Sequence, residues 1–342
     1  MMEFRGLPDV ASRRLGGSVM FTNDDFFADA QQLIAAGPAQ HDPAAFGPRG
    51  KVYDGWETRR RREPGSDFVL IRLAVPAIVR GVDIDTAHFK GNYPPHASVE
   101  ATTLLGYPTV DEVRAADWLP VLDKVDLAGD TSNVFPVDAP DRLVTHVRLT
   151  IHPDGGVARL RAFGEVVPDP RRLGGRVDLA ALASGGCAES CSNMFFASPA
   201  NVLAPGRAAV MSDGWETQRR RDDGNDWLVV RLAAPGVLRE AVLDTSRFLG
   251  NAPGWAALTD ADSGALLLPR TRLLPDTEHR LRLAGAPPVT RARLNIYPDG
   301  GIARLRLLGS VAEEARARLA QRWLGLLPAD QAGTVDRSEF FS

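Results

Sequence analysis

Asp54-Gly55-Trp56-Glu57-Thr58, followed by Arg59, Arg60, Arg61 and Arg62, is written twice in this chain. The second copy is Asp213-Gly214-Trp215-Glu216-Thr217-Gln218-Arg219-Arg220-Arg221, displaced by 159 residues (213 − 54). Five identical residues including a Trp, then three aligned arginines, do not recur by chance. A period this long marks a duplicated domain rather than a solenoid. The length of 342 residues agrees with two domains.

Outward from that stretch the two copies stay in step. Asn23-Asp24-Asp25-Phe26-Phe27-Ala28 is matched by Asn193-Met194-Phe195-Phe196-Ala197 at an offset of 169. The drop to 159 means that the first copy carries ten extra residues between Gly37 and Asp54. Those residues are rich in Pro and Ala and read as a loop. After the arginines each copy has a turn and an apolar run, Asp67–Leu73 and Asp226–Leu232, which read as buried strands closed by Pro76 and Pro235. Gly81–Thr86 and Ala241–Thr245 read as a further strand in each copy. The copies rejoin at Ile151-His152-Pro153-Asp154-Gly155-Gly156 and Ile296-Tyr297-Pro298-Asp299-Gly300-Gly301. Pro-Asp-Gly is a turn, since Pro presets φ and Gly accepts a positive one. Val147, Leu149 and Ile151 share a face before it, and Ala158, Leu160 and Ala162 share one after it, so each copy is expected to end in a hairpin.

Many short strands separated by Gly and Pro predict an all-β protein of two tandem, homologous β-sandwiches, residues 1–170 and 171–342, joined near Pro168–Arg172. A short C-terminal helix is expected from Val311 to about Leu324, with Ser310 and Glu313 as a capping box and Val311, Ala315, Leu319 and Trp323 as its apolar stripe. The tail beyond Pro328 reads as mobile up to Phe340-Phe341, a pair suited to docking on a partner.

Forty basic against 43 acidic residues give a net charge of −3, so no global field favours nucleic acid or a membrane surface. No apolar run reaches the roughly 18 residues of a membrane span. Met1–Arg14 carries Glu3 and Asp9 and is not a signal peptide. Cys187 and Cys191 alone make neither a four-ligand zinc site nor a disulfide framework, and the chain reads as cytoplasmic.

The densest polar stretch is Asp83 to His96 in the first copy, with Asp85, His88 and Asn92. The second copy keeps Asp244 and Asn251 but has Arg247 in place of His88 and Trp255 in place of His96. Features present in both copies suit a structural role, and features of one copy suit a functional one. His88 and Arg59, which aligns with Gln218, rank first on that logic. His88 is either a satisfied residue at a strand end or a general acid or base titrating near neutrality. Asp85 and Asp244 could equally cap the turn that follows them. The arginine run is either a solvated face or a carboxylate clamp, and adjacent guanidiniums call for carboxylate partners. Extended backbone would put Glu57, Arg59 and Arg61 on one side and Trp56, Thr58, Arg60 and Arg62 on the other, with Trp56 and Trp215 in the core. No nucleotide-binding glycine motif, nucleophile elbow or paired-histidine zinc motif is present. His152 is replaced by Tyr297 in the second copy, which argues against a metal site common to both.

Leu7-Pro8-Asp9 with Leu15-Gly16-Gly17, the duplicated DGWETxRRR, the pair Asp-Thr-x-x-Phe-x-Gly-Asn and the duplicated Pro-Asp-Gly-Gly together resemble the allantoicase family. The resemblance runs from about Leu7 to about Leu324. It implies two jelly-roll sandwiches related to galactose-binding-like domains, a homo-oligomer, and the hydrolysis of allantoate to ureidoglycolate and urea in purine (ureide) catabolism. That chemistry needs a proton donor for the leaving nitrogen, a base for water and a cationic clamp for the carboxylate. The expected division gives acid–base work to His88 with Asp85 or Glu57, the clamp to Arg59 or Arg61, and ureido contacts to Asn92 and Asp54. Glu216, Arg219, Asp244, Arg247 and Asn251 either complete the pocket or form a degenerate second site. No cofactor is expected, although Asp, His and Asn lie close enough in sequence to leave a divalent metal open. The competing readings are a non-catalytic tandem sandwich that binds a small polar or anionic ligand, and a hydrolase of a related ureide such as ureidoglycolate.

Overall fold

The computed structural model describes residues 3–285 and 287–341. The chain divides into two compact units. One comprises the residues up to Val167 with Leu326–Val335, and the other Pro168–Gly325 with the residues from Asp336 on. The first unit contains β1 (Ser18–Thr22), β2 (Phe46–Gly47), β3 (Gly50–Lys51), β4 (Trp56–Glu57), β5 (Asp67–Asp85), β6 (His96–Thr102), the helix α1 (Val110–Ala115), β7 (Leu119–Asp126), β8 (Ser132–Pro136), β9 (Val144–His152), β10 (Gly156–Val157) and β11 (Arg159–Val166). The second repeats the plan with β12 (Val177–Asp178), β13 (Cys187–Cys191), β14 (Trp215–Glu216), β15 (Asp226–Asp244), β16 (Trp255–Asp260), β17 (Leu266–Arg272), β18 (Glu278–Arg282), β19 (Val289–Tyr297), β20 (Gly301–Ile302) and β21 (Arg304–Val311). The helix α2 (Glu313–Leu326) follows, and then α3 (Ala329–Thr334). The all-β reading with two repeated sandwiches and a C-terminal helix holds. No helix among the described residues is long and apolar enough to cross a membrane.

Each unit is built on one 19-residue strand that serves two layers. The first half of β5 pairs with β1 and β9, and β9 continues to β6 and β7. Its second half pairs with β8 and β11. β15 does the same with β13 and β19, then with β18 and β21. This corrects the expectation that Pro76 and Pro235 close a strand. The β5–β9 register jumps between Arg72 and Ala77, so Pro76 sits where no ladder bond is required of it. Val69, Ile71, Val82 and Ile84, from the two halves of β5, all enter one core with Trp56.

The Pro-Asp-Gly-Gly turn is likewise not the tip of a hairpin. β9 pairs with β5 and β6, and β11 pairs with the far half of β5. The turn passes the chain from one layer to the other because β4 captures it. The Thr58 N–H donates to Gly155 O at 3.1 Å, Gly155 N–H donates to Thr58 Oγ1 at 3.2 Å, and Gly156 faces Glu57.

The C-terminal helix starts later than expected, at Glu313. Ser310 and Val311 complete β21 opposite Val237 and Gly236, and Ala312 N–H still donates to Pro235 O, so the proposed capping box does not form. Ala315 and Trp323 are buried as the stripe requires, with Ala320 beside them and Leu319 partly buried. The tail is structured. α3 belongs to the first unit, where Gln331 Oε1 accepts the Leu105 N–H. Phe340 is buried within the second unit, edge-on to Trp323 at 6.0 Å, so it docks on its own chain. The Phe341 side chain lies outside the described ones. Cys187 and Cys191 are free thiols on β13.

At one end of each unit an aromatic ring locks three distant motifs together. Phe89 is fully buried, and a Cβ added at Gly156 or Gly55 would lie 2.1 or 3.0 Å from its ring. Phe248 has the same relation to Gly301 and Gly214, at 1.9 and 3.1 Å. Gly156→Ala should therefore destabilise the first unit by about 1–3 kcal/mol through overpacking, whereas Gly91→Ala, with open space around it, should not. Urea denaturation of the two variants checks this, and equal midpoints would contradict it.

Candidate active site

The interlock places a carboxylate on the side of the duplicated strand opposite its buried Trp. Trp56 points into the core at 0 % exposure, so the next residue, Glu57, points outward. Glu57 is half-buried, and its Oε1 accepts a 2.7 Å hydrogen bond from Asn92 Nδ2. Asn92 is fixed in turn because its carbonyl accepts the Gly156 N–H at 2.7 Å. Burial pushes the Glu57 carboxyl above the usual carboxylate range, and the Asn92 bond offsets only part of that shift. Glu216 and Asn251 repeat the pair at 2.6 Å. The carboxylate–carboxamide pair is thus a product of the fold in both copies.

What surrounds the pair differs between copies. In the first, Asp24 Oδ1 accepts the Phe26 and Arg59 N–H groups, and Asp24 Oδ2 takes Arg59 Nε at 2.6 Å. Burial opposes ionisation of Asp24, but the Phe26 N–H and the Arg59 bonds outweigh it and hold its carboxyl below the ordinary value. In the second, Asn193 Oδ1 accepts the Phe195 and Gln218 N–H groups in the same way. The backbone geometry survives an Asn–Gln exchange, so the ion pair is a local addition. Arg59 is 63 % exposed in its side chain and lies over the Phe26 ring at 5.3 Å.

Arg61 is different. Its Nη1 meets buried Asp67 at 2.6 Å, its N–H donates to Asp154 Oδ2, and Arg220 repeats both contacts with Asp226 and Asp299. This is a bolt between the arginine segment, the long strand and the Pro-Asp-Gly turn. Arg60, Arg62 and Arg219 are exposed.

Asp54 is drawn inward to buried Arg159, whose Nη2 reaches Asp54 Oδ2 at 2.7 Å. Burial raises its carboxyl, but Arg159, the Gln40 N–H and nearby His88 together hold it below the usual range. Asp85 Oδ1 accepts the Ala87 N–H, and Asp244 Oδ1 accepts the Ser246 N–H, so both aspartates cap the turn that follows them. His88 sits in that turn at φ 70°, and Arg247 matches it at φ 75°. Their N–H groups donate to Asp130 and Asp276. The left-handed backbone belongs to the shared turn, and the imidazole belongs to one copy alone.

The ten-residue insertion supplies the rest of the first copy's surroundings. The loop read from sequence carries the small β2–β3 hairpin. His88 Nε2 lies 3.3 Å from Ala39 O, and its ring stacks on His41 at 5.1 Å. Tyr53 stacks on Phe89 at 4.8 Å. Between this segment and Gln32 lies a surface cavity of about 400 Å³, lined by Gln32, Gln40, Asp42, Ala45, Val52, Tyr53 and Asp54. Sequence reasoning missed Asp24, His41, Tyr53 and Arg49. For His41, Tyr53 and Arg49 the insertion itself is the available signal, since it exists in the copy that also has His88 and Arg59. Among the described residues no three His, Cys, Asp or Glu side chains cluster as metal ligands would.

His152 makes a separate cluster, between Ser66 Oγ at 2.8 Å and Ser98 Oγ at 3.1 Å. Buried His146 has its pKa pushed down to about 4, first by burial and then by Arg72.

A family model described as the allantoicase repeat matches residues 8–167 and again 177–312. A protein of Nocardia farcinica named probable allantoicase is 53 % identical over 90 % of this chain and 95 % of its own length. One of Streptomyces avermitilis with the same name is 46 % identical over 94 % and 90 %. The crystal structure of allantoicase from Saccharomyces cerevisiae superposes with a TM-score of 0.78 at 33 % identity, covering 90 % of this chain and 96 % of that one.

The contrast between the arginines can be measured. Arg61→Ala leaves buried Asp67 short of a donor and should cost about 1–3 kcal/mol. Arg60→Ala, on an exposed side chain, should stay within about 0.5 kcal/mol. Thermal denaturation of both variants decides it, and equal losses would remove the distinction.

Proposed function

Since the chain belongs to the allantoicase family, matched along both repeats, we propose that it hydrolyses allantoate to ureidoglycolate and urea in purine catabolism. Family membership over both repeats carries the reaction. The residue roles rest on the geometry of the first copy, which we read as the active one.

Allantoate has one carbon that bears a carboxylate and two ureido groups. Hydrolysis forms a bond from water oxygen to that carbon and breaks one carbon–nitrogen bond. The water gives one proton to a base, and the departing nitrogen takes one from an acid. Glu57 is the base in this account. Its carboxylate is held by Asn92 and half-withdrawn from water, which raises its basicity while keeping the second oxygen for a substrate water. His88 is the acid, backed by the Asp54–Arg159 pair. Arg59 is the carboxylate clamp, because its side chain stays 63 % exposed while its Nε holds Asp24, whereas Arg61 is committed to buried Asp67. Asn92 also offers a ureido contact. In the second copy Glu216 and Asn251 keep the pair, while Gln218 and Arg247 stand where the clamp and the acid would be. Arg219 and Asp244 complete that degenerate surface.

Two further features extend the proposal. Free Cys187 and Cys191 suit a reducing compartment such as the cytoplasm, and reduced thiols in freshly isolated protein would be the expected titration result. Exposed Met194, Phe195, Phe196 and Leu249 suit a homo-oligomer, and light scattering at monomer mass would contradict that.

The test of the reaction is urea release from allantoate by the purified protein, followed across pH. A protein that releases none is not an allantoicase. With Glu57 as base, kcat/KM should fall on the acid side at a pH above the ordinary carboxylate range. Asn92→Ala removes the bond that favours the charged form, so that limb should move to higher pH. A limb that stays in place would take Glu57 out of the base role. His88→Asn keeps a residue that tolerates the left-handed backbone and removes the imidazole. It should lower kcat by roughly 100-fold with little change in stability.

A further inference from the structure

Arg49 has no counterpart in the second copy and entered none of the roles above. It sits in the Gly47–Gly50 turn of the β2–β3 hairpin, where Gly50 has φ 112° and the side chain is exposed. Its guanidinium carbon lies 4.7 Å from the centre of the Phe26 ring, and its Nη1 donates to Phe26 O at 2.5 Å. Arg59 reaches the same ring at 5.3 Å. Two guanidiniums therefore flank one aromatic ring that is 40 % exposed. Placing like charges together is unfavourable unless an anion shares them, and Asp24 is bonded to Arg59.

Three changes coincide between copies. The second copy lacks the hairpin and hence Arg49, has Gln218 for Arg59, and has Asn193 for Asp24. The matching aromatic residues, Phe195 and Phe196, are then 66 % and 60 % exposed and stack edge-on against each other, with neutral Met194 next to them in sequence. The cations, their anion and the hairpin are present or absent as one set.

We propose that Arg49 is a specificity-determining residue of the first copy: with Arg59 it receives the carboxylate of an acyclic ureide acid. The hairpin is thereby part of the substrate site, and it presents a guanidinium with four N–H donors beyond the one on Phe26 O. This rests on the allantoate reading above, with Arg59 as first clamp.

The test compares Arg49→Ala, Arg49→Lys and Arg62→Ala with the unaltered protein in urea release over a range of allantoate concentrations. Inhibition by acetate, a carboxylate without ureido groups, is measured beside inhibition by urea, which is neutral. Arg49→Ala should raise KM by roughly 10- to 100-fold, as expected for losing a hydrogen-bonded charge partner, with a smaller effect on kcat. Arg49→Lys should recover part of that loss. Acetate inhibition should weaken in Arg49→Ala while urea inhibition stays the same, and Arg62→Ala, which removes an exposed cation, should leave KM near its starting value. A structural role for Arg49 in seating the hairpin would weaken acetate and urea alike and would overturn the proposal. So would an unchanged KM, or an equal rise in Arg62→Ala, which would mark a general field effect. Absence of urea release from the unaltered protein would instead defeat the allantoate reading, and this proposal with it.

Discussion

In each unit the carboxylate–carboxamide pair depends on one buried ring. Phe89 fits only because Gly55 and Gly156 have no side chains, and those glycines come from motifs about a hundred residues apart in sequence. Once the ring is seated, the rest follows within hydrogen-bond reach. Asn92 is three residues beyond Phe89, Glu57 is two beyond Gly55, and Gly156 donates to the Asn92 carbonyl. A half-buried carboxylate is normally costly, and here its position is dictated by packing of apolar and backbone atoms. The motif residues are therefore first a folding device. Their chemistry is a consequence of where that device leaves Glu57.

Duplication makes the separation of roles visible. Phe248, Gly214, Gly301, Glu216 and Asn251 rebuild the same interlock in the second unit with nearly the same distances. What the second unit does not rebuild is the charge around it. Asn193 keeps the backbone contacts of Asp24 and gives up the carboxylate, and Gln218 gives up the guanidinium. The turn that holds His88 survives with Arg247 at the same left-handed φ. Substitution has thus changed side-chain chemistry while leaving the backbone fixed.

Much of this was legible in the sequence, because repetition reveals which residues the fold needs. Trp56 and Trp215 were placed in the core, and asymmetry directed attention to His88 and Arg59. The errors arose where long-range pairing overrides local signals. Pro76 reads as a strand terminus, yet β5 continues through it because the ladder changes partners there. Pro-Asp-Gly-Gly reads as a hairpin turn, yet Thr58 draws it across to the other layer. Ser310 reads as a helix cap, yet β15 holds it in a strand. Arg49 and Asp24 carried no signal of their own. Neither lies on a periodic face; only the folded hairpin brings Arg49 to Phe26, and only the fold brings Arg59 to Asp24.

The central claim is that the first copy holds the catalytic carboxylate and the second holds its inactive double. The direct measurement is urea release from allantoate by Glu57→Gln and by Glu216→Gln, two isosteric changes to matched positions. The account predicts a loss of roughly 100-fold or more in the first variant and near-full activity in the second. Equal losses, or a loss confined to Glu216→Gln, would contradict it.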